Sequence, residues 1–185
     1  MMPNRVRRAS AADAAACLDI YRPYVLDTAV TFETDVPTVE DMAARIEGAL
    51  ATHEWLVLES DGGIGGYAYA HQFNPRAAYL WSVETSVYVA RDRQRTGAGR
   101  ALYAELLRRL AERGFRRAFA GIAQPNDASN ALHGAFGFRP VGRYRRVGWK
   151  HGAWHDVEWW QLDLAGPDDE IDRPRPLATP RSSDD

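Results

Sequence analysis

The feature that most constrains the fold of this chain is a glycine-containing turn that separates a strand pattern from a helix pattern. Residues 80–89 are rich in β-branched and aromatic side chains, which is typical of a buried strand. The turn over residues 91–99 then opens a helix, and Gly114 stands at the C′ position where a left-handed residue ends it. Gly97 and Gly99 let backbone N–H groups approach an anion at the positive end of the helix dipole. This order predicts an α/β domain with an anion site between strand and helix.

The remaining periodicity predicts the element order β-α-α-β-β-β-α-β-α-β-β. Residues 5–9 form the first strand, and Ser10 caps a helix over 11–21 that Pro23 ends or kinks. Thr38, with Asp41 three positions later, begins the second helix as a variant of the capping box. The later segments are strands 55–58 and 64–71 around a turn at 61–63, strands 115–123, 139–147 and 154–164, and a short helix that begins near Asn126, Asp127 or Ser129 and ends at Gly137. We therefore expect a mixed sheet with helices on both faces.

Composition and charge exclude several classes of protein. The chain of 185 residues can bury one hydrophobic core without disulfides or metals. The net charge is −2, of which residues 166–185 carry −3 and residues 1–165 carry +1, and this balance disfavours a nucleic-acid partner. Cys17 is the only cysteine and the five histidines show no H-E-x-x-H spacing, so we expect neither an intrachain disulfide nor a metal site.

The sequence also predicts where the chain resides and how it is divided. No stretch approaches the roughly 18 apolar residues of a membrane span, and no apolar run of a secretory signal follows residues 1–5. We expect a single cytoplasmic domain over residues 1–165. Residues 166–185 are expected to form a flexible tail, because four prolines and mixed charge leave little apolar surface to bury.

The glycine turn has the composition of a pyrophosphate site. Its sequence is Q-R-T-G-A-G over residues 94–99, and four arginines surround it: Arg91, Arg93, Arg95 and Arg100. Guanidinium groups suit phosphate oxygens because their donors are fixed in a planar fork. The turn is not a P-loop, because no Lys-Ser or Lys-Thr pair follows its glycines, and it does not match G-x-G-x-x-G. Taken alone, it is equally compatible with an ordinary glycine-containing turn.

A second motif follows, and the two together resemble a known superfamily. Residues 126–138 read N-x-x-S-x-x-L-H-x-x-x-G-F. In this order and spacing, the two motifs resemble the GNAT superfamily of acyl-CoA-dependent N-acetyltransferases, whose pattern Q/R-x-x-G-x-G/A is met by Gln94, Gly97 and Gly99. The resemblance implies a mostly antiparallel central sheet and acetyl-CoA as co-substrate. It implies that acetyl-CoA is held by Val87, Tyr88, Val89, Arg95, Thr96, Gly97, Ala98, Gly99, Arg100, Asn126 and Ser129.

A narrower resemblance covers residues 5–164. The stretches T-F-E-T at 31–34, W-S-V-E-T-S-V-Y-V at 81–89, W-K-H-G-A-W-H-D-V at 149–157 and W-Q-L-D-L at 160–164 are similar to the phosphinothricin N-acetyltransferases. This resemblance implies direct acetyl transfer to the α-amine of a small amino-acid analogue, and a homodimer. The dense tryptophans near the C-terminus are compatible with that interface or with the core.

Two residues are candidates for catalysis. Glu84 lies in the middle of an apolar and hydroxylic strand, where partial desolvation raises a carboxyl pKa towards that of a useful base, and the resemblance also assigns the general base to it. The alternative is a structural carboxylate. His133 stands where many GNAT enzymes carry a tyrosine near the thiol sulfur, so it is a candidate to protonate the thiolate or to bind the substrate. The alternative for His133 is a helical histidine at the edge of the core whose ring is bonded within the protein.

The resemblance also implies the acceptor contacts, namely Phe32, Tyr69, Arg76, Thr85 and Ser86. Arg76 could bind a phosphinate or a carboxylate by two parallel hydrogen bonds, although a solvated loop charge is the ordinary interpretation. Asn74 stands where similar family members carry a lysine, so one anion contact is replaced by a neutral side chain.

Three further functions remain open at the level of sequence. One is acetylation of methionine sulfone, methionine sulfoximine or another small amine by the same groups. Another is a non-catalytic acyl-CoA sensor, which would need the phosphate site but no base, so that Glu84 distinguishes the two. The third, nucleic-acid binding, is disfavoured by the charge.

Overall fold

One mixed sheet organises the chain, which a computed structural model describes over residues 5–60, 62–164 and 177–179. Its strands are β1 (Arg5–Arg8), β2 (Trp55–Ser60), β3 (Gly63–Gln72), β4 (Ser82–Val89), β5 (Arg117–Gln124), β6 (Arg139–Lys150) and β7 (Ala153–Asp163). The helices are α1 (Ala14–Asp27), α2 (Val39–Thr52), α3 (Ala98–Arg113) and α4 (Asp127–Ala135), with short 3₁₀ turns at Ala11–Asp13, Ala77–Tyr79 and Arg91–Arg93. The order of these elements confirms the predicted order.

The spatial order of the strands is β1-β2-β3-β4-β5-β7-β6. All neighbours are antiparallel except β4 and β5, which run parallel. The register of β4 with β5 covers residues 82–84 and ends at the pair Glu84–Phe119. By contrast, β4 stays paired with β3 as far as Val89, and β5 stays paired with β7 as far as Gln124. The sheet therefore opens as a wedge between β4 and β5 beyond Glu84.

Each face of the sheet buries its own apolar cluster. Leu56 and Leu58 of β2 pack with α3, whereas Trp55 and Val57 of the same strand pack with α1 and α2. This division follows from the two-residue period of a strand, which sends successive side chains to opposite faces. Cys17 lies in the cluster on the α1–α2 face, and burial raises the pKa of its thiol to about 12, as expected for an inert apolar residue.

The helix termini follow the predicted capping signals. Thr38 Oγ1 accepts from the Asp41 N–H at 3.1 Å, and Asp41 Oδ2 accepts from the Thr38 N–H at 3.0 Å, which completes the capping box of α2. Asn126 caps α4 by accepting from the Ser129 N–H at 3.1 Å. Gly114 ends α3 in the left-handed region with φ 97°.

Pro23 was expected to end or to kink the first helix, and the first of these alternatives is wrong, because α1 continues through this proline to Asp27. A proline inside a helix removes one backbone hydrogen bond. Here tertiary packing compensates, since Tyr21 and Val25 on either side are buried against the sheet. The Tyr24 hydroxyl also donates to the Val89 carbonyl at 2.7 Å and anchors the last turn.

Most of the segment that was expected to be a flexible tail lies outside the described residues. Residues 177–179 are described, and they contact the end of α3. Leu177 packs against the apolar cluster on the α3 face. The Ala178 N–H donates to the Arg113 carbonyl at 2.9 Å, while Arg113 Nε donates to the Ala178 carbonyl at 3.0 Å. No helix in the described part of the chain has the length and apolarity needed to cross a membrane.

Candidate active site

Glu84 lies at the apex of the wedge, as the last residue of β4 in register with β5. Its strand neighbours Val83 and Thr85 are buried towards α3. Glu84 and Ser86 therefore face the α1–α2 side of the sheet. The Glu84 side chain is 27% exposed to solvent. Burial raises its pKa above the usual carboxyl value, and the charge of His71 opposes that rise. The carboxylate is thus partly desolvated and still reachable from one side of the sheet.

Aromatic and titratable side chains surround Glu84 across the neighbouring strands. On β3, His71 is its register partner, and His71 Nε2 lies 3.9 Å from Glu84 Oε2. Tyr69 is the register partner of Ser86. On the other side, Phe119 of β5 stacks on Phe73, with ring centroids 4.2 Å apart. These contacts form an aromatic border around the carboxylate.

A cavity of about 430 Å³ opens on the same face, between α2 and strands β2 and β3. Its floor is the stacked pair Trp55 and Tyr69, whose ring centroids are 4.3 Å apart. Arg45, His53 and His71 supply polar groups at its border. The cavity therefore reaches from α2 to the strand position opposite Glu84.

The loop between α1 and α2 is fastened to the turn between β6 and β7. Lys150, the only lysine of the chain, is buried, and its Nζ donates to the Thr31 carbonyl at 2.8 Å. His151 Nε2 donates to the Thr28 carbonyl at 3.2 Å. A Cβ added to Gly148 would lie 2.2 Å from the Phe32 ring, so only glycine permits this approach. The end of β6, together with His151, therefore holds the loop that carries Phe32 in place.

Two further contacts order the same loop. Arg45 of α2 binds Glu33 through two hydrogen bonds at 2.7 and 3.2 Å. The ring centroids of Phe32 and of His155 on β7 are 6.2 Å apart. Phe32 is 36% exposed, so its ring still presents apolar surface to solvent or to a ligand.

Arg76 lies apart from these fixed contacts, in the exposed turn between β3 and β4. Its backbone N–H donates to Asn74 Oδ1 at 3.1 Å, so Asn74 shapes the turn that carries the arginine. Thr85 lies on the opposite face from Glu84. Its hydroxyl lies 2.6 Å from the Tyr103 hydroxyl and 3.1 Å from the Phe119 carbonyl oxygen. Of the predicted acceptor residues, Phe32, Tyr69 and Ser86 share the face of Glu84.

The glycine turn has the geometry of an anion cradle at the start of α3. Gly97 is the N-cap of α3 with φ 89°, and Arg95 also has a positive φ of 61°. A Cβ added to Gly97 would meet nothing within 4 Å, so this backbone faces open space. Thr96 braces the turn by donating from Oγ1 to the Arg93 carbonyl at 2.6 Å. The exposed Arg100 side chain lies over the Phe136 ring at 5.5 Å.

The first turn of α3 also lies against the wedge. A Cβ added to Gly99 would lie 3.5 Å from Val89 of β4 and 3.7 Å from Leu132 of α4, and Ala98 is buried. A diphosphate fits the free N–H groups at the start of the helix and the two exposed arginines. The thioester arm that follows it fits the open wedge. The residues present therefore fit acetyl-CoA.

The predicted pantetheine segment of β4 can offer its backbone but not its side chains. Tyr88 is packed among Tyr21, Tyr24 and Tyr67 at centroid distances of 5.0, 5.2 and 5.3 Å. Burial raises the pKa of its hydroxyl well above the usual value. Val87 and Val89 pack on the α3 face.

His133 is buried, and both of its ring nitrogens are bonded within the protein. Nδ1 donates to the Ser129 carbonyl at 2.8 Å, and Nε2 lies 2.9 Å from the Tyr103 hydroxyl. Burial lowers the pKa of His133, so the ring is neutral and Nε2 accepts from Tyr103. Ser129 thus supplies a carbonyl to His133 and an N–H to the Asn126 cap.

Sequence reasoning missed four residues around Glu84 and the adjoining cavity, namely Arg45, His71, Phe73 and Phe119. The two-residue period identified the strands but not their pairing, because a nine-residue segment connects β3 to β4. The register of a short hairpin would have been readable from its turn. In the described part of the chain, no group of three or more His, Cys, Asp or Glu side chains is placed to hold a metal ion.

Comparisons with known proteins agree with this architecture. A family model described as an acetyltransferase (GNAT) domain matches residues 6–159. The chain is 41% identical over 165 residues to phosphinothricin N-acetyltransferase of Streptomyces viridochromogenes, covering 89% of this chain and 90% of that protein. It is 34% identical over 167 residues to the L-methionine sulfoximine/L-methionine sulfone acetyltransferase of Salmonella typhimurium, covering 88% and 98%.

A solved structure has the same fold. The phosphinothricin acetyltransferase of Sinorhizobium meliloti, crystallised in complex with acetyl-CoA, superimposes with a TM-score of 0.88 at 35% identity, covering 94% of both chains. The wedge, the glycine turn and these similarities therefore agree, and the chain belongs to the GNAT acetyltransferases, within the phosphinothricin N-acetyltransferase family.

Proposed function

We propose that this enzyme transfers the acetyl group of acetyl-CoA directly to the α-amine of a small amino acid, with Glu84 as the general base. The observation that carries the proposal is the position of Glu84 at the apex of the wedge, in reach of the α1–α2 side. Its raised pKa supports the role, because a carboxylate whose pKa is closer to neutral pH is a better base towards an ammonium group.

The proposed reaction begins when the ammonium group of the acceptor loses a proton to Glu84. The neutral amine nitrogen then forms a bond to the thioester carbonyl carbon. The carbon–sulfur bond then breaks, and the second proton that the nitrogen must lose to become an amide passes to the departing thiolate, which leaves as the free thiol. The base must be ionised at the start, so turnover falls as pH drops through the pKa of Glu84.

Acetyl-CoA supplies the activated acyl group in this scheme. We propose that the backbone N–H groups at residues 97–100 and the side chains of Arg95 and Arg100 hold its diphosphate. The backbone of residues 87–89 would pair with its pantetheine amides along the open edge of β4. Asn126 and Ser129 contribute by fixing the start of α4 beside that edge.

We propose a positioning role for His133 rather than proton donation to the thiolate. Its neutral ring, with both nitrogens bonded, supports this choice. Through Tyr103 and Thr85, the ring connects α4 to α3 and to β4. Loss of this connection would disturb the wall of the wedge.

The proposed acceptors are phosphinothricin, methionine sulfone and methionine sulfoximine. Relatives named for these compounds support the choice, as does the aromatic border around Glu84. We propose that Phe32 and Tyr69 contact the acceptor side chain, that Ser86 lies beside it, and that Arg76 binds its polar head. Because Asn74 is neutral, we expect the enzyme to use both the neutral sulfone and the anionic phosphinate as substrates.

A thiol-release assay tests this proposal. Acetyl-CoA is supplied with each of the three amino acids, with a peptide of unblocked N-terminus, and with an aminoglycoside. We expect turnover with the amino acids and little with the other two. Turnover of the peptide or the aminoglycoside with all three amino acids inert would contradict the proposed acceptor class.

We also propose that two copies of the chain associate through β6 and β7. Large apolar side chains on these strands are more than half exposed, namely Val141, Tyr144, Val147, Trp149 and Trp154. Such a surface is typical of a protein interface. Light scattering at micromolar concentration should give the mass of a dimer, and a monomer mass would contradict this proposal.

A further inference from the structure

His71 and Glu84 form a cross-strand pair that the acetyl-transfer scheme does not use. They are register partners on β3 and β4, and their side chains share the α1–α2 face of the sheet. His71 Nε2 lies 3.9 Å from Glu84 Oε2. The imidazole is 44% exposed and the carboxylate 27% exposed, so the histidine connects the half-buried carboxylate to solvent.

The hydrogen bond at the other ring nitrogen decides which atom faces Glu84. His71 Nδ1 lies 3.1 Å from the Gln72 carbonyl oxygen, which can only accept, so Nδ1 carries a hydrogen. In the neutral ring, Nε2 then presents a lone pair to the carboxylate. Any proton that the ring gains must bind at Nε2, where the resulting N–H points towards Glu84.

The other titratable or charged groups that line the cavity beside His71 keep one charge state between pH 5 and pH 8. They come from α1, α2 and β3, and they are Tyr21, Arg45, His53 and Tyr69. Burial raises the pKa of both tyrosines and lowers the pKa of His53 to about 4. The hydrogen bonds to Glu33 raise the pKa of Arg45 and keep it cationic.

We propose that His71 is a positioning residue that sets the acid limit of this enzyme, by holding Glu84 in its ionised form when the imidazole is protonated. The inference rests on the proposed role of Glu84 as the base. An imidazole is the side chain that ordinarily gains its charge between pH 5 and pH 8. When the ring is charged, its cation lies beside the half-buried carboxylate and opposes the rise in pKa that burial causes there.

The sign of the effect follows from linkage. A cation beside a carboxylate lowers the pKa of that carboxylate, whereas burial raises it. Removing His71 leaves burial unopposed, so the acid limb of the pH profile moves to higher pH. Because the pair is partly exposed, we expect a shift of about 0.2–0.7 pH unit, which is the range of exposed ion pairs.

The experiment compares pH profiles of kcat/KM for the acceptor in the full chain. His71→Gln should move the acid limb upwards and leave the plateau at high pH unchanged. His71→Lys, which supplies a permanent cation, should return the limb to the parental position or below. His53→Gln is the matched control, since it removes the other histidine of the cavity, and its limb should stay at the parental pH. In about 1 M KCl, the acid limb of the parental enzyme should shift towards that of His71→Gln, because salt screens the interaction between the two charges.

Titration of the carboxyl group gives a readout that is independent of activity. With ¹³C-labelled glutamate, the Glu84 carboxyl resonance is identified by its loss in Glu84→Gln. Its midpoint should rise in His71→Gln and should not rise in His53→Gln. An unchanged midpoint, or an acid limb that moves to lower pH, would overturn the inference. If Glu84→Gln retains parental turnover while the midpoint still shifts, the pair is real and only the proposed base is wrong.

Discussion

The two sides of the wedge differ in how their residues are assembled. The proposed acetyl-CoA side is built mainly from one continuous stretch, residues 87–100, at the junction of β4 and α3. The proposed acceptor side combines Glu84, the loop 28–38 and the turn between β6 and β7, which are far apart in sequence. A local site depends on backbone conformation at a few positions. A composite site depends on the long-range contacts that bring its segments together.

This difference predicts which kinetic constant each substitution changes. Variants on the acetyl-CoA side should raise the KM of acetyl-CoA and leave the acceptor constants near the parental values. Variants that loosen the acceptor side should do the reverse. Glu84 lies between the two sides, so its loss should lower turnover without weakening the binding of either substrate.

Glu84→Gln is expected to have the largest effect. The amide keeps the shape of the side chain but cannot take a proton, so kcat should fall by about 10²–10⁴, the usual contribution of a general base. The loss should shrink at high pH, where more of the acceptor amine is already neutral. Steady-state kinetics from pH 6 to pH 9 measure both effects. Near-parental turnover at pH 7 would show that Glu84 is not the base.

Arg76→Ala sharpens the comparison on the acceptor side. A bidentate pair with an anionic head contributes about 1.5–3 kcal/mol, which corresponds to an increase of roughly 10- to 100-fold in the KM of phosphinothricin. The KM of methionine sulfone should change less, because its head carries no charge, and that of acetyl-CoA should not change. Equal losses for both amino acids would mean that Arg76 does not recognise the charge.

Gly97→Val tests the acetyl-CoA side. Its φ of 89° is unfavourable for a β-branched residue, so the N–H groups at the start of α3 should lose their alignment. We expect the KM of acetyl-CoA to rise by about 10-fold, from a strain of roughly 1–3 kcal/mol. Gly63→Val is the matched control, because Gly63 has φ 97° with equally open surroundings, but it is the first residue of β3 and lies outside the acetyl-CoA site. If the KM of acetyl-CoA rose equally in the control, the effect would be due to general backbone strain and not to the acetyl-CoA site.

Among the four principal substitutions, Lys150→Met is expected to have the smallest effect. Methionine fills a similar volume but cannot donate to the Thr31 carbonyl, so the loop that carries Phe32 loses one attachment. The loop keeps its contacts with Gly148, His151 and Arg45, so only part of the free energy of this bond, about 0.5–1.5 kcal/mol, should reach the acceptor, and its KM should rise roughly 2- to 12-fold. His151→Gln, which removes the exposed bond to Thr28, should have a smaller effect. A change in the KM of acetyl-CoA instead would contradict the separation of the two sides.

The sequence by itself determined the order of the elements and the acetyl-CoA motif. Thr38, Asn126 and Gly114 act through backbone groups a few residues away, and their capping roles could therefore be predicted. The conformation of Gly97 at the start of α3 is local in the same sense. Pro23 shows the limit, because packing of α1 on the sheet overrode its local preference.

Only the tertiary structure decided what surrounds Glu84. The two-residue period separates Glu84 from Thr85, but strand alternation alone does not say which of them meets α3. Strand pairing places His71 opposite Glu84, and the end of β6 packs against Phe32, more than a hundred residues away in sequence. These relations depend on register and on the packing of distant segments, which the local sequence pattern does not encode.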